Sequence, residues 1–330
     1  MLKQKLASAA GVPKFQAPGP AFSVASAKGG TVWVIPVNST IPLVPIVESG
    51  LSAALGVAGV KTTNFTTTGQ TSEYVSGMSQ AVAAHASAIM LLGIDPHLLL
   101  PGLAAAKKAG IPVILDYTIA PDTSLPGLTT TVTLPFNESA KLMADQAIVE
   151  SDGHADILPV GTSSVLQNAG MLNAISSEIE KYCAGCKVES PLNVQLPNWS
   201  TTMGSSVRAK LAAKPKVNLV MPLYDGMVEF ILPGISQAGK NASVKVNSFN
   251  GTPSVVSEIA KSNVLVGNAG QSNTWIGWAT ADAVLRALTH TAPGTESIPI
   301  RYWTKANAGE EPTVGYGTSY IEGFKALWTK

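Results

Sequence analysis

Lys107-Lys108-Ala109-Gly110-Ile111-Pro112-Val113-Ile114-Leu115-Asp116 decides the fold. Two lysines suit the negative end of a helix, and Gly110 suits the left-handed cap that follows it. Pro112 cannot continue the helix. Val113, Ile114 and Leu115 then read as a strand buried on both faces, with a carboxylate at its carboxyl end. The same pattern repeats along the chain: strands are predicted at 31–37, 60–66, 88–92, 112–116, 130–134, 156–160, 186–190, 217–223, 244–249, 264–268 and 298–304. Helices are predicted at 43–57, 72–85, 97–109, 138–151, 166–183, 200–213, 226–238, 253–262 and 275–289, with Gly59, Gly110, Gly153 and Gly239 near their ends. Alternating short strands and helices imply parallel sheets covered by helices on both faces, that is, an α/β fold.

The chain has 330 residues, more than one hydrophobic core usually serves. Two lobes are therefore expected, five strands in each, with Pro135 at the boundary. Hydrophobic residues make up 45% and charged residues 13%, with mean hydropathy +0.23. No stretch approaches the roughly 18 uninterrupted apolar residues that span a bilayer. The net charge is +1 with Lys and Arg scattered among the acids, so no basic stripe exists to meet a phosphate backbone, and nucleic acid is not an expected partner. Residues 1–30 hold four lysines and no apolar core of the leader type, so an exported form is expected to have lost its leader already.

The motifs of cofactor chemistry are missing. After the first strand the chain reads Val37-Asn38-Ser39-Thr40-Ile41-Pro42, not the glycine-rich turn of a dinucleotide site, and neither a phosphate-binding loop, a nucleophile elbow nor a zinc helix occurs. Gly161-Thr162-Ser163-Ser164 reads as a strand-to-helix turn carrying an N-cap. His85, His97, His154 and His290 show no metal spacing. No cofactor or metal is expected. Cys183 and Cys186 form a C-x-x-C at a helix end that leaves open a tight disulfide, half a metal site or two idle thiols.

What remains is a set of mostly polar and aromatic residues, with a few aliphatic ones among them, at the carboxyl ends of the predicted strands, where α/β sheets bind ligands. They are Asn38, Ile41, Leu43 and Val44 after the first strand, Asp116 and Tyr117 after the fourth, Leu166 and Asn168 past the sixth, Trp199, Tyr224 and Asp225 after the eighth, Asn250 after the ninth and Gln271 after the tenth. Any single Asp or Asn there also reads as a helix cap.

These positions are where the chain resembles the type I periplasmic binding proteins of ABC sugar importers, the ribose-binding-protein-like family. The resemblance spans 31–304 and is carried by 107–116, Val160-Gly161-Thr162-Ser163, Leu223-Tyr224-Asp225-Gly226-Met227, Phe249-Asn250-Gly251-Thr252-Pro253 and Asn268-Ala269-Gly270-Gln271. It implies two doubly wound parallel-sheet lobes joined by a three-crossing hinge near 134–136, 271–273 and 293–298. The expected division is an N-terminal extension at 1–30, an N-terminal lobe of 31–134 plus 272–296 and a C-terminal lobe of 135–271 plus 297–330. The resemblance further implies a monomer outside the cytoplasm, with a small-molecule ligand and an ABC permease in the membrane as partners, and with lipidation of the mature N-terminus left open. Repressors share this fold but need a helix-turn-helix ahead of it, which 1–29 cannot supply.

Where monosaccharide binders of the family usually carry Asn, Arg, Arg and Asp, this chain has Ile41, Tyr117, Leu166 or Asn168, and Asn250. Charge-assisted bonds worth about 1.5–3 kcal/mol each are thereby lost. The expected ligand is neutral with few hydroxyls: a sugar, deoxy sugar or polyol, or a less polar aromatic compound, held by clamp closure without chemistry. Two alternatives stand beside this one: a cleft enzyme using Asp116 and Asp225 as acid and base, and a sensory module docking on a receptor.

Overall fold

A computed structural model describes residues 1–118, 125–296, 298–309 and 315–330. In chain order the elements are α1 (Leu2–Ala9), β1 (Phe22–Ser23), β2 (Thr31–Pro36), α2 (Val44–Val57), β3 (Lys61–Asn64), α3 (Thr71–Ala83), β4 (Ala88–Leu92), α4 (Leu100–Lys108), β5 (Val113–Thr118), β6 (Thr130–Thr133) and α5 (Phe136–Glu150). There follow β7 (Asp156–Gly161), α6 (Gln167–Tyr182), β8 (Lys187–Val188), β9 (Leu192–Asn193), α7 (Trp199–Ala213), β10 (Leu219–Pro222), α8 (Val228–Gln237) and β11 (Lys245–Asn250). The chain closes with α9 (Pro253–Lys261), β12 (Leu265–Gly270), α10 (Asn273–Leu288), β13 (Arg301–Thr304), α11 (Ser319–Leu327) and β14 (Trp328–Thr329). The decapeptide 107–116 folds as expected: α4 ends in its two lysines, Gly110 sits at φ +70°, and β5 is wholly buried. Gly59, Gly153 and Gly239 also take positive φ just past their helices.

The chain forms two compact units. The N-terminal unit comprises Lys14–Leu134, Ser272–Ile298 and Gly317–Lys330; the C-terminal unit comprises Met1–Pro13, Pro135–Gln271 and Pro299–Tyr316. In the N-terminal unit five parallel strands run in the order β3-β2-β4-β5-β6. In the C-terminal unit the sheet runs β13-β12-β11-β10-β7-β8, with β9 also paired to β7, parallel throughout except for the antiparallel β12–β13 pair. Each sheet therefore begins in its middle, at β2 or β7, and winds outward in both directions. This doubly wound arrangement creates a switch point beside β2 in one unit and beside β7 in the other.

The boundaries differ from expectation at both chain ends. Residues 1–30 are not an appendage: α1 packs on α5 and β13 of the C-terminal unit, whereas β1 pairs with β14 in the N-terminal unit. Residues 317–330 belong with the N-terminal unit, not the C-terminal one, because α11 inserts Phe324 among Phe15, Trp278 and Trp328. The chain passes from unit to unit after Pro13, Leu134, Gln271, Ile298 and Tyr316; of the stretch expected at 293–298, Ser297 lies outside the described residues.

Arg286 holds the ends of the N-terminal unit together. Its Nε donates to Asp282 Oδ2 at 2.6 Å, its Nη2 donates to Pro20 O at 3.1 Å, and its guanidinium lies 4.3 Å from the centre of the Phe22 ring. Trp328 Nε1 donates to the other oxygen of Asp282 at 2.7 Å. Burial pushes the nearby Glu296 carboxyl up to about 10, with the Asp282 charge adding to the shift, so Glu296 is neutral at pH 7.

The same unit depends on close backbone approach between α2 and α10. A Cβ on Gly50 would lie 2.7 Å from Thr274 O, and one on Gly277 would lie 2.5 Å from the Leu51 nitrogen, so neither helix has room for a side chain there. Gly277→Ala gains about 1 kcal/mol of helix propensity but forces two backbones apart. We expect a net loss of about 1–3 kcal/mol, read as a lowered urea midpoint; a midpoint at or above wild type contradicts this packing.

Candidate functional site

Both switch-point edges collect polar side chains, and each is built from its own unit. In the N-terminal unit, Asn38 turns the chain out of β2. Its Nδ2 donates to Thr68 O at 2.9 Å, and its Oδ1 accepts from Thr40 N and Thr40 Oγ1 at 2.9 and 2.8 Å. Tyr74 Oη braces the same loop by donating to Val37 O at 2.6 Å. Asn38 thus spends its amide inside the loop. Leu43 and Val44 are buried at the start of α2, and Ile41 is half-buried.

Asp116 lies near the carboxyl end of β5 with no exposure. Its Oδ1 accepts from Tyr117 N at 2.5 Å and its Oδ2 from Thr280 Oγ1, on α10, at 2.7 Å. Burial outweighs these bonds and pushes the carboxyl up to about 7. Tyr117 follows at φ +63°, a left-handed conformation unusual for a bulky residue. Such an outlier at a strand's carboxyl end is itself a pointer to function.

In the C-terminal unit the strand-to-helix turn after β7 is organised by Asn168, whose Oδ1 accepts from Thr162 N at 2.9 Å. The turn itself supplies no cap to α6, whose N-cap is Leu166, a half-buried residue without a capping side chain. Trp199 and Tyr224 stack at 6.2 Å with 17° between their planes, and Trp199 Nε1 donates to Val194 O at 3.1 Å. Asp225 accepts from Ser248 Oγ, Thr252 N and Asn268 Nδ2 at 2.7, 2.8 and 2.6 Å. Its backbone N–H donates to Asn250 Oδ1 at 3.0 Å. Burial still pushes Asp225 up to about 7, but its acceptors are filled from within its own unit. Gly251, at φ +69°, carries β11 past the Gln271 backbone, which a Cβ would meet at 2.7 Å.

Against this satisfied background a few buried atoms stand out. Among the described residues, Tyr224 Oη and Gln271 Oε1 in the C-terminal unit have no hydrogen-bond partner, although Gln271 Nε2 reaches Ser139 Oγ at 3.5 Å. In the N-terminal unit both amide atoms of Asn273 are equally unpartnered, and the residue is 2% exposed. Native proteins rarely leave such atoms unmade without a reason. Sequence reading placed Asn273 in a hinge, since nothing in the sequence marks a helix's first residue as a binding group.

The described part of the chain keeps its buried cations occupied elsewhere. Arg286 and Arg301 are the only buried arginines there; Arg301 Nε donates to Ala10 O at 2.9 Å and its guanidinium lies 4.3 Å from the centre of the Trp303 ring. Asp116 and Asp225 fall in different units. No group of three His, Cys, Asp or Glu among the described residues is arranged to hold a metal ion. Cys183 and Cys186 are joined as a disulfide at the end of α6, which resolves the alternatives left by their spacing.

Two doubly wound sheets, each with polar groups gathered at its switch-point edge, are the architecture of a ligand-binding α/β protein. The chain belongs to the periplasmic binding protein family: the model described as "Periplasmic binding protein domain" matches residues 32–292. No curated protein sequence matches it. Among solved structures it is similar to an ABC transporter solute-binding protein of Agrobacterium vitis bound with alpha-D-tagatopyranose, with TM-score 0.78 and 18% identity over 87% of this chain and 98% of that one. The 5-methylthioribose transporter solute-binding protein of Thermotoga lettingae TMO, in complex with 5-methylthioribose, gives 0.79 and 17% over 91% and 97%. A second Agrobacterium vitis solute-binding protein, with bound D-fucose, gives 0.77 and 18% over 87% and 99%. These likenesses bear out the type I fold read from the sequence.

The buried carboxyls predict a pH dependence. An unfolded Asp titrates near about 3.9, whereas folded Asp116 holds its proton up to about 7. Its raised value therefore adds stability that is complete below the unfolded pKa and lost as pH rises through about 7. In urea titrations from pH 4 to 8, wild type should lose stability relative to Asp116→Asn as pH rises; a constant difference would show that Asp116 is already ionised at low pH.

Proposed function

We propose that this protein is the extracytoplasmic solute-binding component of an ABC importer, and that it captures a small neutral ligand by clamp closure and delivers it to a membrane permease. The observation that carries the reading is the unpartnered buried atoms that each unit holds by itself: Tyr224 Oη and Gln271 Oε1 beyond β10 and β12 in the C-terminal unit, and the Asn273 amide at the start of α10 in the N-terminal unit. A ligand with a few hydroxyls supplies the donors and acceptors those atoms lack. Trp199 and Tyr224 offer an aromatic wall for its apolar face.

Neutrality follows from charge. Both buried arginines are committed elsewhere, so a phosphate or carboxylate would be desolvated without a cation to meet it. A sugar, deoxy sugar or polyol fits these groups best, in keeping with the sugars bound by the similar solved structures. Asp116, half neutral near pH 7, can accept from or donate to a hydroxyl. Asn38, Asn168 and Asp225 act behind the ligand by shaping the loops that present it. Membership of the periplasmic binding protein family favours a location outside the cytoplasm, and a single chain with its own two units needs no second copy. Ligand leaves chemically unchanged, which separates this reading from a cleft enzyme.

A thermal-shift screen over pentoses, hexoses, deoxy sugars, polyols and their phosphates tests it. A neutral member at about 100 times its Kd should stabilise the protein by about 2.7 kcal/mol, while phosphorylated counterparts give no shift. Tyr224→Phe and Gln271→Ala should each weaken that binding by about 1–3 kcal/mol, roughly 5- to 150-fold. Preference for a phosphorylated or carboxylated sugar contradicts the assignment, as does turnover of the ligand seen by mass spectrometry.

A further inference from the structure

Within the C-terminal unit, residues 1–10 are the part that the binding reading leaves without a role. A helix of eight residues is marginal by itself. α1 starts without a side-chain cap, and Leu6 is its one buried residue. It is therefore held by the body of the unit, where it packs on α5 and β13. At its end, Ala10 O accepts from Arg301 Nε at 2.9 Å and from Asn307 Nδ2 at 3.4 Å. In its middle the hold is a single charge, Lys5.

That charge meets two acids. Asp145, on α5, has no exposure, and Glu178, on α6, has 7%. Lys5 Nζ donates to Glu178 Oε1 at 2.8 Å and lies 2.7 Å from Asp145 Oδ2. Among the described residues neither oxygen of Asp145 receives a hydrogen bond, so Oδ2 meets the ammonium as an ion pair and Oδ1 keeps its accepting capacity. Burial opposes the lysine's charge, but the two carboxylates outweigh this and hold the ammonium above its usual value. Burial pushes the Asp145 carboxyl up, Lys5 pulls it back, and the Glu178 charge adds to the rise. The packing of α5 on α6 places the two acids, whereas the cation arrives on a separate and marginal helix. The Lys5 side chain is 38% exposed, so the pair of acids opens to solvent on the α1 side.

We propose that Asp145 and Glu178 form a binding site for a primary ammonium group, that Lys5 fills it in cis, and that an external alkylammonium cation displaces α1 by taking its place. The chemistry selects the ligand class. Two buried carboxylates left without a cation are costly neighbours, and a primary ammonium brings three donors to them where a bare ion brings none. Lys5 is favoured because its own chain supplies it, at an effective concentration on the order of millimolar. An external amine well above that range competes. Displacement frees residues 1–9 alone, because Arg301 and Asn307 still hold Ala10 O from the same unit.

Chemical rescue of the full chain tests this independently of the sugar ligand. Lys5→Ala deletes what propylammonium replaces. Its urea midpoint should fall below wild type, and propylammonium chloride should restore it along a saturating curve, while sodium chloride at equal ionic strength and propanol at equal concentration should not. Hydrogen exchange on wild type needs no variant: propylammonium should speed exchange over residues 1–9 and leave 136–150 and 167–182 unchanged. In Asp145→Asn/Glu178→Gln, exchange over 1–9 should no longer respond to propylammonium. A wild-type midpoint for Lys5→Ala, recovery by sodium as full as by propylammonium, or wild-type exchange that propylammonium leaves unchanged overturns the site. The binding assignment, which rests on the sugar screen, stands in each case.

Discussion

A polar atom taken out of water must find a partner, and this constraint shapes the structure at the carboxyl ends of its strands. Parallel strands end there with side chains that are neither core nor surface. Asp225 meets the constraint wholly from within, drawing on Ser248, Thr252 and Asn268. Asp116 meets it in part, with one backbone and one hydroxyl donor, and keeps its proton to near neutrality. Tyr224, Gln271 and Asn273 leave it unmet. That gradient runs from residues that build the edge to residues whose buried atoms have no partner.

Charge follows the same logic. The chain carries few charged residues and buries only two arginines among those described, and it uses both to fasten its ends. Arg286 ties 18–22 to α10, and Arg301 receives the end of α1. What remains for a ligand is amide, phenol and carboxyl, a set suited to hydroxyl groups. In the C-terminal unit Trp199 and Tyr224 stack on one another.

Much of this was legible in the sequence, because a parallel α/β fold writes its period into buried strands and its turns into glycine. The strand from Val113 and the four glycines past helix ends fell where they were read. The chain ends were not legible. α1 carries only a short apolar face, Leu2, Leu6 and Ala9, and is fixed by Lys5 between two distant acids, while α11 is placed by Phe15, roughly 300 residues away in sequence. At the edges, residue type alone could not tell Asn168, which braces its own turn, from Gln271, whose oxygen has no partner. That difference lies in which neighbours donate, and only the folded chain shows it.

The most direct measurement is a crystal structure of the protein with the tightest-binding sugar from the panel. A ligand whose hydroxyls lie within hydrogen-bond distance of Tyr224 Oη and Gln271 Oε1, in the C-terminal unit, is the predicted result. A ligand seated elsewhere, with those atoms bridged to one another by ordered water, would contradict it.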